Sequence, residues 1–279
     1  MMTDTHVFRR LVLGLQPRAP DHTIPFAIEF AELLNLDLLG VFLEDTSLQN
    51  LASIPFAREI RPLGGSWHPI DIEHLTRDLE RAAVRAERSF VEAAKRLATD
   101  WRFEVARGPM ARAVATVSRT NDIVMIGEPI SAAERATQQY SWLMDAALQS
   151  AAAVLVVPGR VERAQGPVVA VARVPDDPSI GLAADIAAAA SEELIILDIC
   201  KNRIDPAHID ALAASKKLSV EHVLAEANNT APPSLVEHLR PLHERLVVLT
   251  RDASDGHVAS TIAAELNVPI LVIEPDKAP

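Results

Sequence analysis

Catalysis and ligand binding need side chains of the right type at the right spacing, and this chain is sparing with them. Glu44 and Asp45 are adjacent carboxylates that follow the apolar run Leu38 to Leu43. Two acids at a strand end suit general acid–base work when their environments separate their pKa values. They also suit a solvated strand end, the commoner use. The chain has nine histidines. None forms an i, i+4 pair beside an acid, so the zinc-protease pattern is missing. Glu237, His238 and His243 are expected on one helix, but a five-residue step turns the two imidazoles onto diverging faces. The single cysteine, Cys200, has no CxxC partner and reads as a small buried thiol. No Gly-x-Ser-x-Gly elbow is present, so a serine hydrolase would lack its nucleophile. Arg173 ends an apolar run, where it either holds an anion in a sheet crevice or pairs with Asp176 or Asp177.

The elements that would carry these residues follow from composition and period. The chain has 279 residues, 49% hydrophobic and 23% charged, the balance of an ordinary globular protein of about two domains. Lys and Arg number 27 against 38 Asp and Glu, a net charge of −11. That excess argues against non-specific binding to nucleic acid or an anionic membrane, both of which reward positive charge. One cysteine excludes an internal disulfide framework and fits a reducing compartment. No run approaches the roughly 20 apolar residues of a membrane helix. The run Leu11 to Leu15 is too short for a signal peptide. The expected location is cytoplasmic.

Five short apolar runs mark the first half: Arg10 to Leu15, Leu38 to Leu43, Trp101 to Ala106, Ile123 to Gly127 and Val154 to Pro158. Most are continuous in Val, Ile and Leu, as strands of a parallel sheet buried on both faces are. Helical patterns lie between them. One follows Asp21. A second follows Asp71 and carries Ile72, Leu75, Leu79, Ala83, Ala86, Phe90, Ala94 and Leu97 in steps of three or four. Two more are expected over Met110 to Arg119 and Ser141 to Ala151. Strand and helix in alternation mean α/β with right-handed crossovers.

The second half repeats this order. Pro167 to Ala172, Leu194 to Ile199, Leu218 to Leu224, Leu246 to Thr250 and Pro269 to Pro275 replay the five strands, and Gly181 to Ala190 replays the first helix. The join is expected in the turn-rich stretch Gly159 to Gly166, giving domains 1–163 and 164–279. The first half alone carries a long insertion, Ser47 to Ile70, whose Phe56 and Trp67 either cover the crevice or fill the helix–sheet interface. The last strands of the two halves, Val154 to Val157 and Leu271 to Ile273, are too apolar to stand as free edges and are expected to pair with each other.

In this order of elements the chain resembles the universal stress protein family in its two-domain form. The features that carry the resemblance are the first apolar run with its Pro/Asp-rich turn, the second run ending in acid (LLGVFLED), and the closing strands VLVVP and PILVIEP. The fold it implies is α/β with two tandem Rossmann-like domains, each a five-stranded parallel sheet with helices on both faces. Nucleotide-binding members carry Gly, two residues, Gly, nine residues, Gly, then Ser or Thr after the fourth strand, and an Asp at the end of the first. Glycines let backbone N–H groups approach phosphates at a helix start. Here Gly127 holds the first glycine position, Ile130 and Tyr140 replace the other two, and Ser141 keeps the hydroxyl. Gln16 stands where the Asp should be. In the second half the loop is shorter, Gly256 is followed by His257, and Arg173 takes the Asp position.

The resemblance therefore implies a stress-response or regulatory protein that is not an enzyme, binds no ATP in the family's way, and has no cofactor. The alternative is an ATP-binding member with weak hydrolysis, its residual site formed by Gln16, Val41, Gly127 and Ser141. A small-molecule hydrolase or transferase would have only Glu44, Asp45 and His257 to work with. The expected partners are a second copy of the chain, through the apolar residues Phe90, Val91 and Trp67, and a small molecule or protein. No nucleic-acid or membrane partner is expected.

Overall fold

The structure, a computed structural model, describes residues 8–16, 22–45, 58–60, 67–69, 71–108, 110–135, 138–225, 231–251 and 258–275. The first half runs β1 (Arg10–Leu15), α1 (Thr23–Leu33), β2 (Asp37–Asp45), β3 (Arg58–Ile60), β4 (Trp67–Pro69), α2 (Ile72–Ala94), β5 (Trp101–Gly108), α3 (Met110–Val117), β6 (Asp122–Gly127), α4 (Ala132–Arg135), α5 (Gln138–Gln149) and β7 (Ala153–Val157). The second runs β8 (Val168–Ala172), α6 (Pro178–Ala190), β9 (Leu194–Asp198), α7 (Pro206–Lys216), β10 (Val220–Leu224), α8 (Pro232–Leu239), β11 (Leu246–Thr250), α9 (Val258–Leu266) and β12 (Ile270–Ile273).

Ten of the strands form one sheet in the order β10-β9-β8-β11-β12-β7-β6-β1-β2-β5. Counted from its first strand, each half contributes its strands in the same spatial order. The halves meet at β7 and β12, which pair antiparallel with Leu155 opposite Leu271 and Val154 opposite Val272. All other pairings in this sheet are parallel. The seam is formed by the two strands the sequence marks as too apolar to be left free, and each of their residues is buried.

Period-2 alternation sends strand side chains to two cores. Leu11, Leu13 and Leu15 join Phe42 and Phe90 beneath α1, α2 and α6. Val12, Leu39 and Val41 join Leu143, Ala147 and Ile262 beneath α5 and α9. Gly40 is required by this packing, since a Cβ there would stand 2.7 Å from the Phe90 ring. Phe90 in turn meets Phe103 at 5.5 Å and Trp101 at 6.2 Å between ring centroids.

Three of the helix starts are fixed by acids. Asp71 accepts from the His74 N–H at 2.9 Å, Asp177 from Ser179 at 3.0 Å, and Asp205 from Ala207 at 2.9 Å. Pro178 and Pro206 supply the pre-set φ of the first helical position.

Several expectations need correction. The residue capping α1 is His22, without a side-chain bond, and Asp21 lies outside the described residues. α5 starts at Gln138, so Tyr140 and Ser141 lie inside it rather than before it. His243 is off the helix that carries His238: a 3-10 turn, Arg240–Leu242, follows α8, and His243 closes it at φ 55. The insertion contains a short antiparallel pair, Arg58–Ile60 with Trp67–Pro69, that apolar periodicity does not mark. Phe90 is fully buried and offers nothing to a partner. Among the described residues no helix is long and apolar enough to cross a membrane.

Candidate functional site

In an open parallel sheet, ligands bind beyond the C-terminal ends of the strands, where the strand order reverses. In the first half that point lies between β1 and β6, which are hydrogen-bonded neighbours. Gln16 follows the last residue of β1 and Gly127 ends β6, so these two expected site residues share that edge. Val41 does not reach it. It sits within β2, 1% exposed, as part of the core beneath α5. Ser141 is the fourth residue of α5, past the first turn, where N–H groups already have acceptors within the helix. Glycine-type access to open N–H groups is therefore missing at the Ser141 end of the signature.

What occupies this edge instead is a buried carboxylate. Glu128, next to Gly127, is 0% exposed, and its N–H donates to the Val157 carbonyl at 2.7 Å. The Tyr140 hydroxyl donates to Glu128 Oε1 at 2.9 Å, and the Ser260 hydroxyl donates to the same oxygen. Ser260 belongs to α9, so this cluster crosses from one half to the other. Glu128 Oε2 is buried with no hydrogen-bond partner. Burial pushes the Glu128 carboxyl above the ordinary range, against the lowering effect of the Ser260 and Tyr140 bonds. Tyr140 fills the remaining room with its ring, 5% exposed, and its phenol is pushed up by burial and by Glu128.

The second half places an arginine at the matching point. Arg251 follows β11 as Glu128 follows β6, and its N–H donates to Ile273 at 2.7 Å. Its guanidinium crosses the seam the other way, donating to the carbonyls of Ser150 at 3.0 Å and Ala152 at 2.9 Å, and it pairs with Glu274. Burial lowers its pKa. The two corresponding positions thus carry an acid and a base, and each reaches into the other half.

Arg173 is also committed at the end of β8. Its guanidinium donates to the Thr250 carbonyl at 3.0 Å, and its N–H to Asp177 Oδ2 at 3.0 Å. Asp177 also accepts from the Thr250 hydroxyl. At the end of β9, buried Asp198 accepts the N–H groups of Cys200 at 2.8 Å and Ile204 at 3.1 Å, with His222 Nε2 3.1 Å away. Burial would raise its carboxyl, but these bonds outweigh burial and hold it below the ordinary range. Beside it, burial pushes the Cys200 thiol up to about 12, a core thiol rather than a nucleophile.

Other candidates are spoken for. Glu44 is 4% exposed and accepts from Arg107 Nε at 3.0 Å. Phe56, Gly256 and His257 lie outside the described residues, as do the side chains of Asp45 and Trp67. Among the described residues no three His, Cys, Asp or Glu side chains gather as a metal site. A cleft of about 290 Å³ opens where α1, the connector and α6 meet, with Phe26, Phe30, Val161 and Ile186 among its walls. Its Arg245 is held by Glu29 at 3.3 Å and Glu192 at 3.7 Å. Glu128, Arg251 and Ser260 carry no motif in the sequence. The available signal was an acid directly after Gly127, in the stretch where anion binding would require bare backbone.

No family model matches the sequence, and no curated protein matches it. The fold does have solved counterparts. A universal stress protein from Archaeoglobus fulgidus DSM 4304 aligns over 97% of this chain and 98% of its own, at 9% identity and a TM-score of 0.63. A putative universal stress protein from Pseudomonas aeruginosa UCBPP-PA14 aligns over 98% of this chain and 96% of its own, at 14% identity and a TM-score of 0.54. A functionally unknown protein from Pseudomonas aeruginosa PAO1 aligns over 98% and 94%, at 15% identity and the same TM-score. Over nearly its whole length, the chain has the fold of the universal stress protein structures.

Proposed function

We propose that this chain is a non-enzymatic stress-response or regulatory protein, built as two universal-stress-protein-like halves meeting near residues 163 and 164. In this reading it works as a cytoplasmic homodimer that binds a partner or small ligand, and it has no ATP site of the family type. The observation that carries the reading is the Glu128–Tyr140–Ser260 cluster. A phosphate held after β6 would need free N–H groups and positive potential. This edge supplies a buried carboxyl, an aromatic ring and an internal helix position. The same groups tie the two halves together, which gives them a structural use. The acid–base pairing of Glu44 with Arg107 and the elevated Cys200 thiol likewise support a reading without catalysis.

A native mass spectrum of freshly purified protein tests this. The expected spectrum shows the bare chain mass or a multiple of it, or an adduct that is not a nucleotide. A retained adenine nucleotide, stoichiometric and lost on Gly127→Val, would replace this reading with the nucleotide-dependent one.

A further inference from the structure

Among the described residues, the ten-stranded sheet ends in two open edges, β5 and β10. β5 is eight residues long and, among the described residues, pairs on one side only, with β2. Its sequence from Trp101 is Trp-Arg-Phe-Glu-Val-Ala-Arg-Gly, with Arg102, Glu104, Val105 and Arg107 exposed. Arg107 is held by Glu44. Among the described residues, Arg102 and Glu104 have no ion-pair partner, and Val105 is 43% exposed. A long edge with free charges and an exposed valine is a surface that a second strand can complete.

Symmetry narrows the choice of strand. A two-fold axis perpendicular to a sheet keeps each face on its own side, so it must pass through a residue and place residue i opposite its mirror about that centre. Centred on Arg102 or Glu104, it sets like charges against each other. Centred on Val105, it sets Glu104 against Ala106 and Phe103 against the already paired Arg107. Centred on Phe103, it sets Arg102 against Glu104 twice over, and Trp101 against Val105. Among centres from Arg102 to Val105, the alternation of charge is complementary to itself only about Phe103.

The other edge has no such register. β10, Val220–Leu224, centred on His222 sets Glu221 against Val223, and centred on Glu221 sets acid against acid. Joining β5 to β10 of another copy would leave both outer edges open and propagate without closure.

We propose that two copies of this chain join through their β5 edges, antiparallel about Phe103, into one continuous sheet with reciprocal Arg102–Glu104 pairs. The inference rests on the homodimer reading above and assigns it a surface, in place of the buried Phe90.

Sedimentation velocity on the full chain at micromolar concentration tests it. Three proteins are compared: the unaltered chain, Glu104→Arg, and Arg102→Glu with Glu104→Arg. Far-UV circular dichroism and melting first establish that the variants are folded. The unaltered chain should sediment as two chains. Glu104→Arg should weaken association at least tenfold, and the double variant should restore it by exchanging the charges. A Glu104→Arg protein that dimerises as tightly as the unaltered chain overturns the β5 assignment and leaves the dimer standing. Loss without restoration in the double variant overturns the register. A single-chain mass for the unaltered protein overturns both the assignment and the dimer reading.

Discussion

At the scale of single residues, the molecule is governed by a few buried acids with opposite titration behaviour. Glu128 has its carboxyl raised by burial, so the folded state binds its proton more tightly than the unfolded chain does. Its contribution to stability is then fully present below the ordinary value of 4.5 and lost as pH rises through the folded value. Glu128→Gln keeps an acceptor for Tyr140 and Ser260 and cannot ionise. Thermal melts should show it more stable than the unaltered chain at pH 8, with the difference vanishing below pH 4.5. Asp198 is the reverse case. Its carboxyl is lowered, so its stabilisation is present above the ordinary value of 3.8 and lost as pH falls through the folded value. Asp198→Ala leaves two buried N–H groups without acceptors, at a cost of about 1–3 kcal/mol each. Urea titration at pH 7 should register a loss of several kcal/mol. Neither acid announces itself in the sequence. Each follows an apolar run like Glu44 does, and only the folded chain shows which of them are enclosed.

At the scale of elements, most of the architecture was legible. Runs such as Arg10–Leu15 and Leu246–Thr250 stand in the structure with the boundaries their composition suggests, because continuous Val, Ile and Leu suit only a strand covered on both faces. Asp71 was legible as a cap for the same local reason. The start of α5 was not. The helix begins three residues before Ser141, and Tyr140 in its first turn packs its ring into the core and reaches Glu128 with its hydroxyl, a tertiary contact that no local pattern marks. The hairpin of Arg58–Ile60 with Trp67–Pro69 was hidden because strands of three residues carry too little pattern to count. Gly40 illustrates a constraint between elements. Gly40→Ala drives a methyl into the Phe90 ring, which Trp101 and Phe103 hold in place. Overpacking of this kind costs about 1–3 kcal/mol. Chemical denaturation should report that loss with an unchanged m-value.

At the scale of the whole molecule, the two halves share a sheet rather than merely touch. β7 and β12 pair as buried strands, and Glu128 and Arg251 cross the seam in opposite directions. Breaking one half exposes an apolar edge of the other, so the chain should unfold in one step. All three tryptophans, Trp67, Trp101 and Trp142, lie in the first half. Their fluorescence therefore follows that half alone, while far-UV circular dichroism follows both. The two urea transitions should coincide, and separate midpoints would show halves that unfold independently.

Whether the edge beside Gly127 has given up phosphate is the central claim about this molecule. Each lost charge-assisted contact removes about 1.5–3 kcal/mol, so the loss of two weakens binding by roughly a hundredfold or more. The direct measurement is calorimetric titration of the full chain with ATP and magnesium. A closed edge of Glu128, Tyr140 and a helix-internal Ser141 predicts no saturable heat in the micromolar range. A low-micromolar dissociation constant, abolished by Gly127→Val together with Ser141→Ala, would contradict it.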